Sequence, residues 1–314
     1  MIRKLLAGLI ALSVLLAACA APRTEDAALK IGVLPILEAL PMYAAEAQGY
    51  FKRDGVAVEF VPVASAAERD QLMQAGQIDG MINDIVSTVL YNKDEPRIGI
   101  VRIARTALPD TAQYSILAAR DSGIAGPEDL KGVPIGISEG TIIAYVTDRL
   151  LQQAGLSPED IQTTNVPRIN ERLQLLGEGQ LKAATLPAPS SLLAEQGGAM
   201  VVVDDRANPK IGNSVLSFST AALQSKPNTV RKFLAALDQA VADVNADPAR
   251  WEALLSDKKL VPAPLIGAYR LPVFPAAGVP DEAQVKDVQD WMKNKGLIQA
   301  DVPYDKLVRP EFIP

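Results

Sequence analysis

Apolar positions along this chain keep two alternating rhythms. Short apolar or alternating runs read as strands, and segments with apolar positions three and four apart read as helices. "ALKIGVL" (28–34) is a strand, and "MYAAEAQGYFKRDG" (42–55) reads as one helix closing at Gly55. "VAVEFVPV" (56–63) is a second strand. "SAAERDQLMQAG" (65–76) is a helix in which Ser65 caps and Glu68 completes a capping box. "DGMIN" (79–83), "DIVSTVLYN" (84–92) and "IGIVRIAR" (98–105) continue the alternation. A β-α-β-α order of this kind predicts a mostly parallel sheet covered by helices.

The rhythm then starts again. "QYSILAARDSGI" (113–124) and "PIGIS" (134–138) are strands, and "TIIAYVTDRLLQQAGL" (141–156) is a helix with apolar positions at Ile142, Tyr145, Val146 and Leu150. Further β/α pairs run to "AMVVVDD" (199–205) and "NSVLSFST" (213–220). From Lys226 the pattern is helical: 227–246, 247–257 and 281–297. Two α/β units in series and a helical tail predict an α/β protein of two lobes, with the tail returning to lobe 1. Lobe 1 is expected at 29–116 and 218–314, and lobe 2 at 117–217. The crossings fall near 113–118 and 216–222, and such a pair makes a hinge. No internal repeat stands out.

The first 27 residues break the rhythm. Arg3 and Lys4 precede the apolar run 5–18, a pattern that marks a secretory signal peptide and is too short to span a bilayer. "LAAC" (16–19) resembles the bacterial lipobox, in which the cysteine is lipidated and becomes the first mature residue. The alternative is an ordinary leader with an incidental cysteine. Residues 1–18 are thus expected to be removed, and 19–28 to tether a lipidated Cys19 to the body. The expected location is exported, on the outer side of the cell membrane or in the periplasm. Cys19 is the only cysteine, so the exported body carries no disulfide.

Charge and composition narrow the function. The formal charge is −6, and without Arg3 and Lys4 it is −8. An acidic body argues against nucleic acid. The chain has no histidine, which removes Ser-His-Asp and Cys-His schemes and His-ligated zinc. Residues 136–140 match G-x-S-x-G and 256–259 match S-x-x-K, but the first has no histidine to activate its serine, the second stands in a charged helical run, and no Walker A loop is present. These absences favour a binding protein over an enzyme, with no cofactor and no metal expected.

Three stretches carry a family resemblance. They are "KIGVLPILEALPMYAAEAQGYFKRDGVAVEFVPVASAAERDQLMQAGQIDG" (30–80), "GPEDLKGVPIGISEGTIIAYVTDRLLQQAGL" (126–156), and the tail pieces "KPNTVRKFLAALDQAV", "DWMKNKGLI" and "PYDKLVRPEFIP". In this order they resemble the solute-binding proteins of ABC importers that include alkanesulfonate, taurine and thiamine-pyrimidine-precursor binders. The resemblance covers nearly all of the chain after Leu29. It implies the type II periplasmic-binding-protein fold and a monomeric receptor that delivers a small molecule to a permease and its ATPase. A ligand-sensing subunit without transport is the alternative. The same superfamily includes a eukaryotic enzyme that makes the thiamine pyrimidine and consumes its own histidine. This chain has none.

In open α/β sheets, ligands bind beyond the carboxyl ends of the strands. That rule selects five loops: 35–41 with Glu38, Leu40 and the nearby Tyr43; Asn83 and Asp84; Arg105; Ser138, Glu139, Gly140 and Thr141, with Tyr145 one turn on; and 185–189 with Pro187. Each has a plainer role. Asp84 can be only a helix cap, 138–141 only a capped turn, Glu38 a solvated charge, and the tyrosines core edges. Three carboxylates against Arg105 predict a neutral or partly cationic ligand rich in N–H groups, such as a pyrimidine or vitamin precursor. A sulfonate- or taurine-type anion is the alternative.

The leader generates the first prediction. Wild-type protein takes up a labelled fatty acid in bacterial cells, and Cys19→Ala takes up none and leaves the membrane fraction. An unlabelled wild type refutes the lipobox.

Overall fold

The computed structural model describes residues 28–314. The leader, Cys19 and nearly all of the tether therefore lie outside the described residues. Ten strands form two five-stranded sheets, ordered β2-β1-β3-β10-β4 and β7-β6-β8-β5-β9. In the first, β1 (Leu29–Val33) is parallel to β2 (Val58–Pro62) and β3 (Gly80–Asp84), and β10 (Ser214–Ser219) runs antiparallel between β3 and β4 (Ile98–Arg105). In the second, β6 (Pro134–Ile137) is parallel to β7 (Gln162–Asn165) and β8 (Ala183–Pro187), and β5 (Tyr114–Ala118) runs antiparallel between β8 and β9 (Met200–Asp204). Each antiparallel strand is the one that has just arrived from the other lobe.

The crossings sit a few residues earlier than the sequence pattern suggests. Residues 114–118 and 214–219 are already paired strands, so the chain passes between lobes at 106–113 and 205–213. Their fully apolar faces read as hinge-adjacent strands, but an apolar run cannot show to which sheet it pairs.

Local chemistry explains most helix boundaries. Residues 42–55 form two helices, α1 (Leu40–Ala47) and α2 (Tyr50–Arg53), because Gly49 takes a left-handed φ of 71° between them. Ser65 Oγ accepts the Glu68 N–H at 3.2 Å and starts α3 (Ala66–Gln74). The Glu68 carboxylate closes the box on the Ala64 N–H, one residue earlier than expected, at 2.8 Å. Asp84 starts α4 (Ile85–Asn92) through Ser87 N–H at 2.8 Å, and Thr141 starts α5 (Ile142–Gln153). In lobe 2, α6 (Ile169–Gly177) and α7 (Ser190–Gln196) follow.

The tail does more than return to lobe 1. After α8 (Thr220–Ser225), α9 (Pro227–Ala246) buries Phe233 against Phe51, rings stacked at 4.9 Å, and edge-on to Phe218 at 5.8 Å. Beyond α10 (Glu252–Asp257), α11 (Glu282–Asn294) packs on α4 and also reaches lobe 2. Trp291 Nε1 donates to Asp148 Oδ2 at 2.7 Å, and Lys295 Nζ lies 2.7 Å from the same oxygen. Asp287 accepts from the Tyr145 hydroxyl, and Arg149 Nη2 lies 2.8 Å from it. One hydrophobic core runs from Val86 and Val89 of α4 through Val285 and Trp291 of α11 to Tyr145 and Leu150 of α5. No helix among the described residues is long and apolar enough to cross a membrane.

This strap yields the second prediction. Trp291→Phe keeps the apolar ring and removes the donor to buried Asp148. It should cost about 1–3 kcal/mol in urea denaturation. A cost within error of zero would mean that α11 does not couple the lobes.

Candidate functional site

The carboxyl ends of the parallel strands of both sheets face each other across a cleft. It encloses about 610 Å³ of empty space including its mouth, of which about 80 Å³ admits the centre of a water molecule. Of the residues singled out from sequence, Glu38, Asn83, Asp84, Ser138, Thr141 and Pro187 line it.

Asp84 stands where the lobes meet. Its carboxylate caps its own helix α4 through the Ser87 N–H, and the Ile142 N–H at the start of α5 in the other lobe acts to lower its pKa. Burial raises its pKa, and the neighbouring Arg69 opposes that rise. Asp84 is therefore at once a cap and part of the cleft lining. Asn83 forms the floor, donating to Ser87 Oγ at 2.9 Å and Thr88 Oγ1 at 3.0 Å and accepting from Ser217 Oγ at 2.7 Å. Thr141 Oγ1 donates to Ser138 O at 2.8 Å and accepts the Ile143 N–H at 3.2 Å, tying the loop into the helix start.

Glu38 is buried rather than solvated. It accepts from Ser214 Oγ at 2.9 Å and Gln113 Nε2 at 3.2 Å, and Arg105 Nη1 lies 4.0 Å away. Arg105 is 1% exposed and donates to Ala188 O of lobe 2 at 3.1 Å. It is a hinge residue beside the cleft rather than part of its lining. The others fall outside. Leu40 is in the lobe 1 core. Tyr43 packs edge-on against Phe60 at 5.0 Å, with Lys258 over its ring. Tyr145 faces α11, where Asp287 and burial raise its pKa. Glu139 is exposed at the lip, where its N–H donates to Asn165 Oδ1 at 3.1 Å, and Gly140 turns the loop at φ 68°.

Sequence reasoning missed two arginines, Arg69 and Arg172, and the strand residues Tyr114 and Ser214. Both arginines are buried on helices and look from sequence like solvated positions. They expose an internal repeat that the sequence pattern hides. Arg69 Nη1 donates to Ile82 O at 3.0 Å, and Arg172 Nε donates to Thr185 O at 2.8 Å. Ile82 and Thr185 occupy the same register position, since Gly32 pairs with Met81 as Gly136 pairs with Ala184. A Cβ on Gly32 would lie 2.7 Å from Ile78 Cδ1 and 3.6 Å from Arg69 Cγ; on Gly136, 2.6 Å from Leu181 Cδ1 and 3.3 Å from Arg172 Cγ. Each glycine leaves room for the residues crossing its strand. A matched Gly–Arg spacing was the available signal.

Charges of both signs therefore line the cleft, Glu38 and Asp84 together with Arg69 and Arg172. The expectation of an acidic cleft counted only loop residues. Among the described residues, no cluster of acidic or cysteine side chains could hold a metal ion.

A two-lobed α/β body with a cleft at the strand ends defines a periplasmic-binding-protein fold of type II. The chain matches the model of the NMT1/THI5-like family over residues 37–251 and belongs to that family. It is 25% identical over 266 residues to a Haemophilus influenzae protein named for thiamine biosynthesis, covering 81% of this chain and 82% of that one. It is also 25% identical over 240 residues to the Saccharomyces cerevisiae 4-amino-5-hydroxymethyl-2-methylpyrimidine phosphate synthase THI11, covering 70% and 67%. The alkanesulfonate-binding protein SsuA of Xanthomonas axonopodis pv. citri, solved with MOPS, superposes with a TM-score of 0.73 at 21% identity, covering 90% and 98%. That likeness shows the fold: a solute-binding fold of the kind found in sulfonate-binding ABC importers.

Asp205 at the second crossing gives the third prediction. Its Oδ1 accepts the Gln113 N–H of the first crossing at 2.9 Å, and Oδ2 is buried without a partner. Burial pushes its pKa up to about 6, opposed by those backbone bonds and Arg105. A raised folded pKa means that the folded state holds the proton more tightly. Its stabilisation is full below the unfolded value of about 4 and is lost as pH rises to about 6. Asp205→Asn removes this titration. Relative to wild type it should gain about 2–3 kcal/mol between pH 4 and pH 7, read from urea denaturation across that range. Parallel pH profiles count against a protonated hinge carboxyl.

Proposed function

We propose that the chain is the extracytoplasmic solute-binding component of an ABC importer. It captures a small polar molecule between its lobes and presents the closed form to a permease. The observation that carries this reading is the cleft, where both lobes bring polar groups to one small space. Arrangements of this kind, few polar groups in a largely apolar concavity, mark small-molecule sites.

Closure would turn lobe 2 about the crossings at 106–113 and 205–213. Asp84 and the start of α5 come from opposite lobes, so a solute touching both favours the closed form by its differential affinity. Cys19 would hold the body at the membrane surface. The site needs no covalent step, which separates this reading from the yeast relative, named as a synthase.

The proposed solute carries N–H groups toward the Asp84 and Glu38 side of the cleft, as an aminopyrimidine or a related vitamin precursor would. The relatives named for thiamine and its pyrimidine support that chemistry. The cleft arginines favour an acceptor-bearing solute as a second reading, in the direction of the sulfonate binders.

Native mass spectrometry of protein purified from its own host is expected to reveal a small co-purifying molecule. Small-angle scattering should then show a smaller radius of gyration with that molecule than after its removal. Unchanged scattering at saturation would rule out lobe closure as the mechanism.

A further inference from the structure

Arg69 and Arg172 are structural twins, and only one has a counter-charge. Each follows an edge strand of its sheet, β2 or β7, crosses a strand glycine and donates to a carbonyl 13 residues further on. Next to Arg69 comes Asp70, whose Oδ1 lies 2.8 Å from Nε and 2.7 Å from Nη2. Next to Arg172 comes Leu173. Arg172 is 0% exposed, yet its recorded partners are two carbonyls, Thr185 O and Val166 O at 2.6 Å. Its Nη2 has no partner, and no carboxylate pairs with it among the described residues.

A buried guanidinium without a counter-charge is costly. The cleft's own carboxylates do not offset it. Asp84 caps its own helix through the Ser87 N–H and lies in the field of Arg69, and Glu38 is engaged by Ser214 and Gln113. Burial is the one influence that shifts the Arg172 pKa, and it acts downward. The side chain is fully buried and borders the empty space between the lobes, so the cleft is the side from which a compensating charge on a bound solute would approach it.

We propose that Arg172 is the specificity residue for an oxyanion on the bound solute: a carboxylate, sulfonate or phosphate group. The inference rests on the solute-binding reading above and deepens it. The solute is then bipolar, with N–H donors toward lobe 1 and an oxyanion toward Arg172 in lobe 2. Such a molecule draws the lobes together from both sides. The twin site explains why Arg172 differs from a structural clamp: where the clamp alone is needed, the chain supplies Asp70.

The test installs the missing carboxylate. Leu173→Asp copies the Arg69–Asp70 pair, and Leu173→Asn is its uncharged match, losing the same leucine contacts. Without ligand, Leu173→Asp should melt about 2–4 °C above Leu173→Asn. Thermal-shift titrations at constant ionic strength then use methanesulfonate, acetate, inorganic phosphate, taurine and 4-amino-2-methylpyrimidine. Wild type and Leu173→Asn should be stabilised by at least one oxyanion probe, and Leu173→Asp should bind that probe at least about tenfold more weakly. The charge-free pyrimidine should not discriminate among the three.

Equal melting and equal oxyanion affinity in the two variants overturn the inference. So does a wild type that responds to the pyrimidine alone, or a co-purifying solute that lacks an oxyanion; both leave the transport reading standing. A silent panel, together with bare protein from host cells, overturns the solute-binding reading itself.

Discussion

A buried guanidinium has five N–H groups to place and one charge to balance, and both lobes of this protein are arranged around that need. In each, a strand glycine makes room for an arginine from the following helix, and the arginine ties that helix to the next strand's carbonyl. The bond meets its strand two residues before the end that reaches the cleft, at Ile82 of β3 and Thr185 of β8. In lobe 1 the charge is balanced locally by Asp70. In lobe 2 it is not, and the imbalance falls beside the cleft. One repeated structural device thus becomes an asymmetry of buried charge through a single neighbouring residue.

The hinge is built from polar groups shared between the two crossings. Gln113 of the first bonds Asp205 and Ser214 of the second, and it also bonds Glu38 in the lobe 1 loop. Arg105 adds a bond to Ala188 of lobe 2. These bonds join the two crossings to each other and to both lobes. The α11 strap is different in kind. It places a tryptophan, an ion pair and a shared apolar core at a distance from the crossings, so lobe separation must break or carry those contacts. The strap thus ties lobe 2 to the tail independently of the crossings.

The ligand question turned on which charges are already spent. A count over loops made the cleft acidic. The structure engages Glu38 with hydroxyl and amide donors, buries Asp84 as the cap of α4, leaves Glu139 at the lip, and adds two arginines that lie on helices. A charge that is fully hydrogen-bonded within the protein repels or attracts a ligand far less than one left open. Sequence proximity to a strand end locates a residue but does not say whether its charge remains available.

The sequence by itself determined the two α/β units, most strands, the Ser65, Asp84 and Thr141 helix starts, and six of the residues lining the cleft. Those depend on period, caps and the rule that sites form at strand ends, all of which are local in the chain. It also determined what chemistry is missing, since a chain without histidine cannot use one. The tertiary structure decided the rest. Whether 114–118 pairs with β8 and β9, whether Tyr145 faces ligand or Trp291, and whether Arg172 meets a carboxylate are contacts between segments far apart in sequence. Only the folded chain brings those segments together, and the balance of buried charge is set by which of them meet.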